Sequence, residues 1–321
     1  MRLIFIGTGD IGLPTLQMLL DSSDHHVLAA VTQPDKPVGR RQEVQTSAIK
    51  QLALRHHVPI FQPTKIRERS AIEQLRYHRP DVIVVIAYGQ ILPGEILRIP
   101  SIACLNLHAS LLPRHRGAAP IHAAVEAGDR DSGMTVMYMN EGLDTGDVLL
   151  QKKVSIRRRE TAGSLHDRLG AIAPEALKEA LLLLKQGRAP RIPQDNALAT
   201  YAPKLSRDNG EIVWTHSREQ IDRRIRAMNP WPAAHTFLPT AEGTRKLKIF
   251  SCIQTRLNSG QPGEVMRSDK RGLLVATGSG GVLLREIQLE GKRRMQAREF
   301  LLGHPVAPGT LLAAPLSLPA E

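Results

Sequence analysis

Asp81-Val82-Ile83-Val84-Val85-Ile86-Ala87 decides the fold of this 321-residue chain. One carboxylate is followed by an unbroken apolar run, with none of the polar–apolar alternation of a strand that has a wet face. Such runs belong to strands covered on both sides inside parallel sheets. Outward from it, Leu3-Ile4-Phe5-Ile6 is another short buried-type strand, ending in Gly7-Thr8-Gly9-Asp10-Ile11-Gly12. Residues 13–20 follow as a helix with Pro14 in its first turn, where a missing N–H is tolerated. Residues 27–31 read as a strand, 47–56 as a helix and 104–108 as a further strand. Strands alternating with helices predict an α/β fold with a Rossmann-like, doubly wound, mostly parallel sheet. Ligands of such sheets bind beyond the carboxyl ends of the strands, which is where His108 falls.

Composition bounds the function. The chain is long enough for two domains, and 42% hydrophobic with 23% charged residues is ordinary for a globular protein. Cys104 and Cys252 lie far apart, which argues against a disulfide scaffold and fits a reducing cytoplasm. The 12 histidines include doublets but no His-Glu-x-x-His spacing, so no metal is expected. The amino terminus lacks the pattern of a signal peptide, and no run of about 18 apolar residues exists to span a membrane. The net charge of +12 points to a polyanionic partner. Residues 207–321 carry 17 basic against 11 acidic side chains and residues 1–206 carry 26 against 20, so the C-terminal part is the more densely basic.

Gly7-x-Gly9-x-x-Gly12 matches the dinucleotide fingerprint in letters. That fingerprint also needs an acidic residue at the end of the next strand. Here the strand ends Val31-Thr32-Gln33-Pro34, and Asp35 arrives only inside a proline-bearing loop. A turn required for close strand–helix packing explains the glycines as well, and no NAD is expected. The loop itself, residues 33–46, is long for such a connection and basic at its centre. Lys36, Arg40 and Arg41 can reach phosphates there; a solvated loop is the plain alternative.

The densest chemistry lies at Asn106-Leu107-His108, followed by Ser110-Leu111-Leu112-Pro113 and later by Asp144. If residues 103–108 form a strand, Asn106 and His108 share a face. An amide and an imidazolium side by side can both donate to an oxygen that becomes negative, which is an oxyanion site in outline. A carboxylate can steady the imidazole. Taken alone, the Asn-x-His pair favours Asn106 as a turn cap and His108 as a core histidine, and Asp144 reads equally well as a turn residue. Residues 134–150 alternate like a strand and then turn at Glu141-Gly142-Leu143-Asp144-Thr145-Gly146-Asp147, where the acidic spacing excludes a calcium loop.

Asn106-Leu-His108-Ala-Ser-Leu-Leu-Pro113, Arg116-Gly-Ala-Ala-Pro-Ile121, Gly142-Leu-Asp144-Thr-Gly-Asp147 and Thr161-Ala-Gly-Ser-Leu-His-Asp167 together resemble the 10-formyltetrahydrofolate-dependent formyltransferases. The likeness runs almost end to end, including Tyr201-Ala-Pro-Lys-Leu205 and Ile225-Arg-Ala-Met-Asn-Pro-Trp-Pro232. It is strongest to the branch whose acceptor is initiator methionyl-tRNA. In the first turn this chain departs from the pattern, with Gly9 and Ile11 in place of the usual Pro/Ser-like and aromatic residues. The resemblance implies an enzyme in which a methionine α-amino group attacks the formyl carbon carried by the folate co-substrate. Asn106 and His108 would stabilise the tetrahedral oxyanion, and Asp144 would support His108 and proton transfer. Ser110, Leu111, Leu112 and Pro113 would shape the folate pocket, with Tyr88, Gly89 and Ile91 near the pterin. Residues 34–47 resemble the insertion that meets the tRNA acceptor end. A monomer needing neither metal nor membrane is the expected working form.

Composition changes near residue 186. The expected division is a catalytic domain over 1–188, a linker over 189–206 and a basic domain over 207–321. Residues 217–228 read as a short basic helix, and 246–253, 262–268, 272–277 and 281–288 as short strands with turn signals, which predicts a small β-barrel. The resemblance makes it OB-like and tRNA-binding, with Lys246, Lys248, Arg293 and Arg294 as candidate phosphate contacts. Two other readings compete. A formyltransferase with a small acceptor would need neither the basic barrel nor the 34–47 loop. A non-catalytic RNA-binding protein would be expected to lack Asn106, His108 or Asp144, and all are present.

Overall fold

The computed structural model describes residues 1–38, 43–257 and 259–312. The chain divides into two compact units: residues 1–121, 130–155 and 164–203 form the first, and residues 122–129, 156–163 and 204–321 the second.

In the first unit a seven-stranded sheet runs in the order Val148–Ser155, Asp131–Tyr138, Ala103–His108, Val82–Ile86, Arg2–Gly7, His26–Val31, Ile60–Phe61. The last five strands in this order are parallel, and the first two join antiparallel. Val82–Ile86 is buried at all 5 positions between two parallel neighbours, as its apolar run implies. The chain winds one way from Arg2–Gly7 towards Ile60–Phe61 and the other way through Val82–Ile86. At such a reversal the loops beyond the carboxyl ends part to leave a crevice. Residues 8–12 and 87–91 are the loops at this reversal, and the Thr8 and Gly9 amides donate to the Ala87 carbonyl at 3.3 and 3.2 Å. A Cβ on Gly7 or Gly12 would lie 2.7 or 2.8 Å from Ile86 atoms, so close packing against Val82–Ile86 accounts for the glycine turn. Ile11 is buried at 6% exposure.

The helix expected over 47–56 spans Ala48–Arg55, with the Ser47 hydroxyl capping the Lys50 amide at 3.2 Å. A 24-residue helix, Ala162–Lys185, was not picked out from the sequence; it buries Leu165, Leu169, Ala173, Ala176, Leu177, Ala180 and Leu181 along one stripe. The linker expected over 189–206 belongs to the first unit as far as Pro203. Ile192 bridges to Val148, and Tyr201–Ala202 pairs in parallel with Arg116–Gly117.

The second unit is built on an antiparallel sheet in the order Ala234–Thr240, Gly243–Thr255, Gly281–Leu289, Gly272–Ala276, Val265–Asp269, with Met295–Gln296 also paired to Gly281–Leu289. This is consistent with the expected OB-like barrel. Gly243–Thr255 shifts register around Ser251, bending one long strand so that it serves two neighbours. Ala234–Thr240 escaped the sequence reading because Pro239 interrupts it; it lies at the end of the strand order, where proline is tolerated. The basic helix spans Arg218–Ala227 and starts in a capping box of Ser217 and Gln220. Among the described residues, no helix is long and apolar enough to cross a membrane.

Candidate active site

Ala103–His108 ends at the carboxyl edge of the sheet, and its period of two puts Asn106 and His108 on one side. Both meet Asp144. The Asn106 amide donates to Asp144 Oδ1 at 3.3 Å, and His108 Nδ1 lies 3.5 Å from Asp144 Oδ2. The Gly117 backbone N–H donates to the same Oδ2 at 2.8 Å. The other ring nitrogen, His108 Nε2, lies 2.9 Å from the His115 carbonyl oxygen. Both ring nitrogens thus face acceptors, in a site where His108 is 6% and the Asp144 side chain 13% exposed. Gly117 has φ +110°, and a Cβ there would sit 2.6 Å from the Ala202 carbonyl, so only glycine brings this N–H to the carboxylate.

Asp144 holds a left-handed backbone, φ 52°, in the turn between Asp131–Tyr138 and Val148–Ser155. Aspartate tolerates this region better than most residues, but the conformation persists only where the surroundings fix it. Gln194 helps to fix it: its side-chain nitrogen donates to the Asp144 carbonyl at 2.8 Å and the Gly146 carbonyl at 2.7 Å. Its oxygen accepts from Arg116 Nε at 3.1 Å and Nη2 at 2.8 Å, and Arg116 also donates to Asn196 Oδ1 at 2.9 Å. Arg116 is 2% exposed. Sequence reasoning missed Gln194, because it stands 50 residues from Asp144 inside a stretch that reads as a connector.

The expected folate-pocket residues separate into two groups. The Ser110 hydroxyl is spent on the Arg114 carbonyl at 2.6 Å, and Leu112 packs with Met137 and Val148, so these two side chains build the turn and the core. Leu111 and Pro113 are half-buried. The Tyr88 ring is 3% exposed within the apolar cluster of Ile4, Ile66, Val85 and Leu92, so it packs in the core. Burial pushes its hydroxyl up to about 12. Tyr88 is buried while Ala87, Gly89 and Ile91 are exposed, Ile91 at 80%; Ala87 and Gly89 hold φ 48° and 86°, so the chain turns here beyond the end of Val82–Ile86.

A polar network ties residues 88–90 to the root of the 33–46 loop. Gln90 donates to Gln33 Oε1 at 3.2 Å, Gln33 donates to the Tyr88 carbonyl at 3.2 Å, and Gln62 donates to both the Gln33 carbonyl and Asp35 at 2.9 Å. Lys50 and Asp35 pair at 2.5 Å, and hydrogen bonds from Lys50 and then Gln62 hold the Asp35 carboxyl below its usual range. Lys36 is exposed on a two-stranded ribbon, Lys36–Val38 with Glu43–Gln45. Arg40 and Arg41 lie outside the described residues.

In the second unit Lys246 and Lys248 alternate with buried Leu247 and Ile249, so both lie on the face of their strand away from the core. Lys246 Nζ stands 5.7 Å from the Phe237 ring centroid. Arg293 is exposed. Arg294 is engaged: its guanidinium forks onto Glu286 at 2.8 and 2.6 Å and stacks over Phe250 at 4.0 Å, which sets it apart from the other candidate phosphate contacts. Among the described residues, no group of three or more potential ligands could hold a metal. Both cysteines are free thiols; burial pushes Cys104 up to about 12 and, with Asp222 beside it, raises Cys252 as well.

Residues 1–181 match the family model described as formyl transferase, and residues 204–305 match formyl transferase, C-terminal domain. A methionyl-tRNA formyltransferase of Methylacidiphilum infernorum is 48% identical over 313 residues, covering 97% of this chain and 98% of that protein. One from Geotalea uraniireducens is 46% identical, again over 97% of this chain and 98% of that protein. Among solved structures, the sugar 3N-formyl transferase WlaRD shares the fold with a TM-score of 0.65 and 17% identity, covering 91% of this chain and 99% of that one. HypX from Aquifex aeolicus, solved with tetrahydrofolic acid, matches with a TM-score of 0.61 and 17% identity over 94% of this chain and 47% of its own.

Proposed function

The chain belongs to the formyl transferase family, and on that premise we propose that it moves the formyl group of 10-formyltetrahydrofolate onto the α-amino group of initiator methionyl-tRNA. The observation that carries this reading is the convergence of Asn106 and His108 on Asp144 at a strand end of the α/β sheet.

The chemistry follows from what each group can donate. The methionine amine adds to the formyl carbon, and the carbonyl oxygen becomes an oxyanion. Asn106 has a second amide hydrogen for that oxygen, since one amide N–H contact serves Asp144. His108 adds its donation by exchanging the His115 carbonyl for the substrate oxygen at Nε2. Asp144 keeps the ring in place from the Nδ1 side and accepts the proton that leaves the attacking nitrogen, passing it towards N10 of the departing folate. A formyl group already activated on nitrogen needs no redox step.

For the flat heterocycle of the folate we propose the loops of residues 8–12 and 87–91, at the reversal of the sheet. Gly89 and Ile91 face outward there, offering backbone polar groups and an apolar surface, while Tyr88 supports the loop from within. For the tRNA we propose Lys36, Lys246, Lys248 and Arg293 as phosphate contacts, with Arg40 and Arg41 on the same loop as Lys36. The enzyme is proposed to work as a monomer in the cytoplasm, where translation supplies its acceptor.

The test uses purified protein, 10-formyltetrahydrofolate and initiator or elongator methionyl-tRNA, with His108→Ala alongside. Formylmethionine released by ester hydrolysis is the readout. Formylation of the initiator, slowed about 10²-fold or more in His108→Ala, is expected. A folded protein that binds the folate yet formylates neither tRNA would overturn the proposal and redirect the search to small amine acceptors.

A further inference from the structure

We propose that Gln194 is a positioning residue for Asp144, joining the buried Arg116 guanidinium to the backbone of the Asp144 turn; the inference rests on the formyl-transfer reading above. Arg116 and the residue after it hold Asp144 from two sides. The Gly117 N–H grips the carboxylate at 2.8 Å, and Arg116 reaches the backbone through Gln194. A guanidinium only donates, so the Gln194 oxygen must face Arg116 and the Gln194 nitrogen must face the turn. There that nitrogen meets the carbonyls of Asp144 and Gly146, one on each side of Thr145. An amide with its orientation dictated at one end therefore imposes the geometry at the other.

What it imposes is the left-handed backbone of Asp144, φ 52°, from which the carboxylate reaches both Asn106 and His108. A small rotation of that backbone would carry the carboxylate away from both partners at once, and displacements of about 1 Å at such a group can cost about 10²-fold in rate. The Arg116 side chain is 2% exposed and takes amide oxygens of Gln194 and Asn196 as its acceptors, so the anchor of the brace is itself immobile.

Gln194→Leu removes both ends of the brace; Gln194→Glu keeps an oxygen for Arg116 but turns the donor to the turn into an acceptor. Each variant is assayed as the full chain with 10-formyltetrahydrofolate and initiator methionyl-tRNA, beside the wild type and Asp144→Asn. A loss of kcat of roughly tenfold to a hundredfold with both KM values within about twofold is expected. In an Asp144→Asn background, Gln194→Leu should cost less than about twofold further, because the group it positions is already disabled. Wild-type kcat in Gln194→Leu and Gln194→Glu, or a full additional loss in the Asp144→Asn background, overturns the proposal even where the melting temperature falls. Should Gln194→Leu fail to fold, Gln194→Glu decides alone. An inactive wild type overturns the formyl-transfer reading and the brace with it; an active wild type matched by its variants overturns only the brace.

Discussion

At the carboxyl end of Ala103–His108 the polar side chains converge, with Asn106, His108 and the Gly117 amide all spending a contact on one carboxylate. The cationic side chains of the second unit are dispersed. Lys246 and Lys248 line the outer face of one strand, Arg293 projects from a loop, and Arg294 is tied to Glu286 and Phe250. The first arrangement suits a transition state, where charge appears at one atom and donors must already point at it. The second suits a polyanion, where charge is spread along a backbone and each contact adds a small, salt-sensitive share. Convergence makes a site fragile to single changes; dispersion makes a surface tolerant of them.

The largest effect is expected at Asp144. Asp144→Asn keeps the size of the side chain but weakens its hold on the imidazole, and kcat should fall by about 10³-fold with the KM for tRNA unchanged. A loss of less than about tenfold, measured with initiator methionyl-tRNA at saturation, would show that the strand end is less convergent than its geometry. Lys246→Ala and Lys248→Ala come next. Each should raise the KM for tRNA by only about two- to fivefold, leave kcat alone, and reduce the slope of log affinity against log salt by about 0.8 per lost phosphate contact. An effect of two orders of magnitude from either lysine would abolish the contrast. The smallest effect concerns His235, 3% exposed in the second unit. Burial, with Lys246 adding to it, lowers its pKa from 6.5 in the fold. Folding therefore favours the neutral ring, and its contribution is complete above about 6.5 and is lost as the pH falls below that. Melting of the second unit should drop by roughly a few degrees between pH 7.5 and 5.5, and His235→Gln should flatten that dependence. An unchanged slope in the variant would remove His235 from the account.

Much of this was legible in the chain. The apolar run at 82–87 led to a central parallel strand, and period two put Asn106 and His108 on one side because alternation is a local property of extended backbone. Alternation gives no direction at residues 87–91, where Ala87 and Gly89 hold φ 48° and 86°, so only the fold decides that Tyr88 is buried. Ser110 and Leu112 sit within the motif that marks the site, yet their side chains serve Arg114 and the core. A motif identifies a segment, not the direction of each side chain in it.

Sequence by itself determined the central strands of the sheet, the paired donors on their strand and the glycine-flanked turn holding Asp144, because hydrophobic periodicity and turn chemistry act over a few residues. Only the tertiary structure decided what holds that turn. Gln194 reaches Asp144 across 50 residues and Arg116 across 78. Hydrogen bonds between distant residues depend on the path of the whole chain, and no local pattern records them.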